Sequence, residues 1–197
     1  MTETGTGTGA ADVFEGGPGP LHTHRIRGRG RSALVLWVGG TGEDPDRVLT
    51  LPGGGRRRVP VFVTARQARL YADRRGRRPV VAGAGVLDLT RVQRWLADPA
   101  RRRLPPWDVL DAWNFFEDLD RGVGGRALPR QGPVHNSAYR KLFDGECATW
   151  TPHERRAVRE LLAAGTELWE FCPVVVNPPA PGRQRDRARR RSRASRA

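Results

Sequence analysis

The sequence predicts an α+β domain in which a small, mostly antiparallel sheet is packed against several helices. Three observations predict this class. Short apolar runs bounded by glycine turns occupy the first third of the chain, Thr-x-x-Gln/Glu patterns mark helix starts, and a long aromatic segment has helical periodicity. Strands followed by a run of helices are typical of α+β folds.

The aromatic segment at 105–120 is predicted to form the central helix. Two prolines precede it, and Pro106 fits a first helical turn, where a missing amide proton costs little. At 100° per residue, the apolar side chains cover more than half of the helix circumference: Val109, Leu110, Ala112, Trp113, Phe115, Phe116 and Leu119. Because a surface helix has a narrower apolar stripe, this helix is expected to be packed on several sides.

The remaining face of this helix carries a row of polar side chains. Asp111, Asn114 and Asp118 are spaced i, i+3 and i+7, which places them on one line. Together with Trp107 they form the predicted surface for a basic protein partner, since acids beside large aromatics offer charge complementarity and anchors. An internal partner is equally compatible with the sequence, because the arginines at 101–103 lie a few residues upstream.

Three strands are predicted before the first helix, at 33–38, 47–51 and 59–63. Pro60 lacks a backbone donor and suggests an edge position for the third. The glycine-rich segment 39–42 is interpreted as a turn and not as a phosphate loop, because acids and a proline follow it and no Gly-Lys-Ser/Thr is present.

Capping boxes mark three further helices, with Thr64, Thr90 and Thr151 as N-caps and Gln or Glu three residues later. In the last of these helices, Gly165 lies on the apolar face and is expected to allow close approach of a neighbour, plausibly the central helix. Shorter elements are predicted from local patterns: strands at 79–81 and 174–176, and a helix within 136–145.

The composition suggests one folded domain between two disordered tails. We expect a glycine- and threonine-rich tail at 1–31, a domain at 32–177 and an arginine-rich tail at 178–197. Residues 182–197 contain eight arginines and one aspartate, so they contribute +7 to the formal net charge of +14. Lys141 is the only lysine, and all other cationic residues are arginines. This preference for arginine fits GC-rich coding and weakens inferences about a partner from charge.

The arginine-rich tail supports an alternative function, nonspecific binding of nucleic-acid phosphates through counterion release. The arginines concerned are Arg183, Arg185, Arg187, Arg189, Arg190, Arg191 and Arg193. No aromatic residue lies among them, and the chain shows no helix-turn-helix, zinc-finger or RNA-recognition signature.

Candidates for catalysis or metal binding are few. Cys147 has His135 and His153 nearby in sequence, which makes a thiol–imidazole enzyme a distant alternative; a packed cysteine with exposed histidines is the favoured interpretation. His22 and His24 are interpreted as solvated, because the pair lacks further metal ligands. We therefore predict no catalytic residue, no metal site and no cofactor.

Location follows from what the sequence lacks. No apolar run approaches the roughly 18 residues needed to cross a bilayer, and no basic-then-apolar leader is present. Two cysteines do not make a disulfide framework and suit a reducing compartment. We expect a cytoplasmic protein without a membrane partner.

The segment 112–119, Ala-Trp-Asn-Phe-Phe-Glu-Asp-Leu, followed by Tyr-Arg-Lys-Leu-Phe-Asp-Gly at 139–145, resembles a pairing of motifs in uncharacterised small bacterial α+β proteins. Some of these proteins are regarded as immunity or regulatory partners. The resemblance covers about a fifth of the chain and supplies no catalytic residue. It implies a non-enzymatic protein-interaction module of regulatory or immunity-like type, which is the leading functional prediction.

Overall fold

The computed structural model describes residues 19–52, 57–80 and 85–176. Its strands are β1 (Leu21–Gly28), β2 (Arg31–Val38), β3 (Arg47–Val48), β4 (Val59–Val61), β5 (Gly85–Asp88) and β6 (Pro173–Val175). Its helices are α1 (Ala65–Asp73), α2 (Thr90–Ala97), α3 (Pro106–Val123), α4 (Pro133–Phe143) and α5 (Pro152–Phe171). Residues 1–18 and 178–197 of the predicted tails lie outside the described residues, whereas residues 19–31 are described.

The strands form a four-stranded sheet and a separate pair. The order in the larger sheet is β3-β2-β1-β5, with antiparallel pairing of β1 to β2 and of β2 to β3 and parallel pairing of β1 to β5. The pair joins β4 to β6 in parallel. The predicted α+β class is confirmed, and the sheet is mixed because β5 pairs with β1 in parallel.

The prediction that residues 1–31 lack structure is wrong for their last part. Leu21–Gly28 forms β1, which lies inside the larger sheet between β2 and β5. Leu21 and Ile26 are buried, and Arg29 and Gly30 have φ values of 46° and 71°, as in a two-residue type I′ hairpin turn. β1 contains only two buried aliphatic residues among arginines and histidines, so its own sequence does not indicate a strand. It forms because the apolar strand β2 pairs with it.

The central helix is buried as predicted. Trp113 and Phe116 on α3 are 1% and 0% exposed. The predicted close approach at Gly165 is also confirmed, because a Cβ atom added there would overlap the ring of Phe116. The apolar face of α5 therefore lies directly against α3, and these two helices form the centre of the main hydrophobic core.

Two of the three predicted capping boxes are present. The Thr64 and Thr151 side chains each accept a hydrogen bond from the backbone of the residue three positions on, and the reciprocal bond is made. The prediction for Thr90 is wrong: α2 begins at Thr90, whose amide donates to Asp88 Oδ1 at 2.9 Å. Gln93 instead accepts from the amide of Arg29 at 3.1 Å, because β1 lies beside α2 and offers a competing donor.

Candidate binding surfaces at the two ends of the central helix

The predicted polar row on α3 is divided by the fold. Asp118 is 5% exposed and forms an ion pair with Arg121, whose Nε also donates to the carbonyl of Asp46. Burial raises the pKa of Asp118 to about 6, and the hydrogen bond and charge of Arg121 oppose that rise. Asp118 is therefore committed internally and does not face a partner, which corrects its prediction as a partner-binding residue.

The other members of the row remain near the surface. Asn114 is exposed and accepts a hydrogen bond from the Tyr139 hydroxyl at 2.9 Å, which ties α3 to α4. Asp111 is exposed, and its pKa is raised by partial burial and by the charge of Asp108. Trp107 is 68% exposed. These side chains do not form the continuous acidic surface that the sequence suggested.

A shallow depression of about 510 Å³ lies beside the N-terminal end of α3. We call it the arginine depression; its lining is Arg91, Arg94, Trp95, Arg101, Arg102, Arg103, Leu104 and Pro105. Two of its arginines come from α2, and three come from the segment that connects α2 to α3. Trp95 is 1% exposed and forms part of the floor. Among the residues that the structure describes, the lining contains five guanidinium groups and no carboxylate.

Trp107 follows the arginine depression directly in the chain. It is two residues after Pro105 and adjacent to Asp108, whose Oδ2 lies 3.5 Å from Arg91 Nη1. The exposed indole therefore belongs to the arginine-rich end of α3. The sequence had grouped it with the acidic row, because position along a helix does not show which neighbouring segment lies beside the first turn.

A larger groove of about 730 Å³ lies at the other end of α3. We call it the C-terminal groove; its lining is Arg57, Arg58, Val123, Gly124, Arg126, Ala127, Ala164, Glu167, Leu168, Phe171 and Cys172. Arg58 Nη1 donates to the carbonyl of Phe171 at 2.8 Å, which fixes one wall against the end of α5. Aliphatic side chains form the floor, and three arginines and one glutamate surround it.

Exposed apolar side chains follow this groove along the chain. Phe171, which lines the groove, is 72% exposed, and Val174 and Val175 on β6 are 39% and 63% exposed. Successive side chains of a strand point to opposite faces, so Val174 and Val175 do not share one surface. Phe171 is therefore the large exposed apolar side chain of the groove itself.

Both cysteines of the chain, Cys147 and Cys172, are buried. His135 and His153 share a small depression of about 240 Å³ whose described lining contains no cysteine. His135 contacts the Trp113 ring edge-on, with ring centroids 6.3 Å apart.

The prediction that His24 is solvated is wrong. Its ring packs on Trp37, with centroids 4.7 Å apart, and burial and then the charge of His22 lower its pKa. No group of three or more His, Cys, Asp or Glu side chains in the described part of the chain is arranged to hold a metal ion. Over the same residues, no helix combines the length and apolar character that crossing a membrane requires.

The seven arginines predicted to bind nucleic acid, between 183 and 193, lie outside the described residues. The sequence did not identify the lining of either surface. The arginine triplet at 101–103 and the i, i+3 spacing of Arg91 and Arg94 were available signals for the arginine depression. The C-terminal groove had none, because its walls come from three segments that are distant along the chain.

No protein-family model and no curated protein matches this chain. Among solved structures, the chain is similar to the C-terminal domain of SatS, solved in complex with bromine. The two share 16% sequence identity and align with a TM-score of 0.44, over 79% of this chain and 94% of that one. A likeness at that level supports no statement about function.

Proposed function

We propose that this chain is a non-enzymatic protein-interaction module and that its C-terminal groove binds an extended acidic segment of a partner protein. The observation that carries the proposal is the exposed Phe171 side chain in an arginine-lined groove, which β6 follows directly in the chain. The cytoplasm is the expected location, since a chain whose two cysteines are both buried suits a reducing compartment.

The apolar surface indicates a protein partner. Covering exposed Phe, Leu and Val side chains removes apolar area from water, at about 25 cal/mol for each Å² buried. β6 follows Phe171 and carries exposed Val174 and Val175 on its two faces, so a ligand that fills the groove and also pairs with β6 is longer than a typical small molecule. β6 is also a terminal strand of the described β4–β6 pair, and a terminal strand can accept an added extended segment.

The charges indicate an acidic partner. Arg57, Arg58 and Arg126 line the groove, and Glu167 is the only carboxylate among the described residues of its lining. An occupant with Asp or Glu next to apolar residues complements both the rim and the floor. The arginine-rich residues 183–193 of this chain carry the wrong charge for the same place. Trp107 and Asp111 do not line the groove; α3 contributes its C-terminal end.

Selection from a random peptide display library, with the full chain treated with nuclease, tests this proposal. We expect enriched peptides to combine acidic and large apolar residues. Binding of the enriched peptides, followed by fluorescence anisotropy, should fall at least about tenfold in R126E and in F171S, because each removes one exposed contact. The matched control R66E/R69E reverses two exposed arginines on α1 and should leave binding unchanged.

Enrichment of basic peptides would contradict the proposal. Equal binding by R126E, F171S and the control would also contradict it, because the contact surface would then lie elsewhere.

A further inference from the structure

The arginine depression concentrates positive charge at the N-terminal end of α3. Residues 90–108 contain five arginines and two aspartates, Asp98 and Asp108, which gives this segment a formal charge of +3. The depression lies at the opposite end of α3 from the C-terminal groove, and the 18 residues of this helix span about 27 Å. It is therefore separate from the surface that carries the proposed protein-binding function.

The nearby acids leave most of this charge available. Asp108 lies 3.5 Å from Arg91, and Asp98 Oδ1 accepts from the backbone amide of Arg101 at 3.3 Å. Within the described part of the chain, Arg91 is the only arginine of the depression in an ion pair with a side chain. Grouped like charges repel one another, so five guanidinium groups around one depression favour an anionic ligand.

The exposed indole of Trp107 suggests the class of anion. Trp95 and Trp113 are both 1% exposed, whereas Trp107 is 68% exposed. A flat aromatic surface next to guanidinium groups offers a stacking site for an unpaired base, while the cations bind the adjoining phosphates. A duplex keeps its bases stacked inside and offers no free base face to the ring.

We propose that the arginine depression and Trp107 bind single-stranded nucleic acid. The guanidinium groups of α2 and of residues 101–103 contact phosphates, and the Trp107 indole stacks on one base. RNA and DNA share this chemistry, since every base has an aromatic face. The site is distinct from the arginines at 183–193, which have no aromatic residue among them. It also does not depend on the C-terminal groove.

Fluorescence anisotropy of the full chain with labelled single-stranded oligomers tests this proposal. The probes are oligouridylate and oligothymidylate of about ten nucleotides, within the usual range of site sizes. We expect W107A to weaken binding about tenfold without changing its salt dependence, because stacking releases no counterions. Tighter binding of one oligomer identifies RNA or DNA as the natural source.

Charge reversal provides the second arm. In R101E/R102E/R103E, the slope of log affinity against log salt should fall by about 2, since each phosphate contact on a single strand contributes about 0.7. The control R66E/R69E has the same kind of change on α1 and should keep both the slope and the stacking effect. Circular dichroism verifies that the variants fold.

Three results would overturn the proposal. The first is unchanged affinity in W107A, which would assign binding to charge alone, as expected for the arginines at 183–193. The second is binding of a duplex of equal length as tightly as the single strand. The third is competition by polyglutamate of matched charge as effective as competition by the oligomer.

Discussion

Arginines line the binding surfaces at both ends of α3, but the side chains between those arginines differ. At the N-terminal end, five arginines line a shallow depression, and the exposed Trp107 follows two residues after Pro105 of that lining. At the C-terminal end, three arginines and Glu167 surround an aliphatic floor that continues into Phe171. Arginine therefore does not specify the ligand; the surface between the guanidinium groups does. The exposed indole beside five arginines is assigned to stacking with bases, and the aliphatic lining with Phe171 to apolar side chains of a protein partner.

α3 is a rigid spacer between the two surfaces. Its middle is held by Trp113, whose Nε1 donates to Glu117 at 2.8 Å and whose ring meets Tyr139 edge-on. On the opposite side, Phe116 contacts α5 at Gly165. Neither surface includes this packed centre.

The largest expected effect distinguishes two tryptophans of the same helix. W113A should lower the free energy of unfolding by about 3–5 kcal/mol, because truncating a buried aromatic removes its contacts and leaves a cavity. W107A should change it by less than about 0.5 kcal/mol, because that side chain is mostly in solvent. Urea denaturation measures both, and equal losses would show that α3 is not packed as described.

The next largest effect is the difference in salt dependence between the ligand affinities of the two surfaces. Between about 50 and 200 mM salt, five phosphate contacts predict a loss of about 100-fold in oligonucleotide affinity at the depression. An acidic peptide in the C-terminal groove should lose less than about tenfold, because apolar burial is not screened. Parallel salt dependence for the two ligands, measured by anisotropy, would remove the distinction between the floors.

Substitution at Gly165 should affect one end of α3 only. G165A should destabilise the protein by about 1–2 kcal/mol, since overlap with Phe116 outweighs the gain of about 1 kcal/mol in helix propensity. Ala164 and Leu168 on the same helix line the C-terminal groove, so peptide affinity should fall while oligonucleotide affinity stays constant.

The double variant G165A/F116L is the control for that substitution. It makes room for the added methyl group, so its loss of stability should be smaller than the sum of the two single losses. Additive losses would show that the two residues do not meet.

The smallest effect concerns the pH dependence of stability. The pKa of Asp118 is about 6 in the folded protein and 3.8 without the fold, so the folded state retains a proton that the unfolded state releases between these values. The contribution of Asp118 is therefore fully present below about pH 4 and is lost as pH rises through 6. Relative to D118N, the wild type should lose stability, on the order of 1 kcal/mol, between pH 4.5 and 7.

Urea denaturation at the two pH values measures this difference between the wild type and D118N. D111N is the matched control, because Asp111 is exposed and its substitution should change the pH dependence less. Identical pH profiles for the wild type and D118N would contradict the assigned burial.

Features that depend on a few neighbouring residues were predictable from the sequence. The helical periodicity of 105–120 identified the buried α3, and the patterns at Thr64 and Thr151 identified two helix starts. Gly165 indicated a close helix contact from its place on an apolar face. Each of these signals lies within about one or two helical turns, so backbone geometry alone relates the residues to one another.

The exposure of the polar row and the formation of both surfaces were decided by contacts between distant residues. β1 exists because β2 and β5 lie on either side of it, and Gln93 serves Arg29, 64 positions away, in place of a helix cap. Asp118 was predicted to face a partner, yet Arg121 and the surrounding core enclose it. Sequence spacing defines the face of a helix on which a side chain lies. Whether that face meets solvent depends on which remote segment packs there, and only the folded chain contains that information.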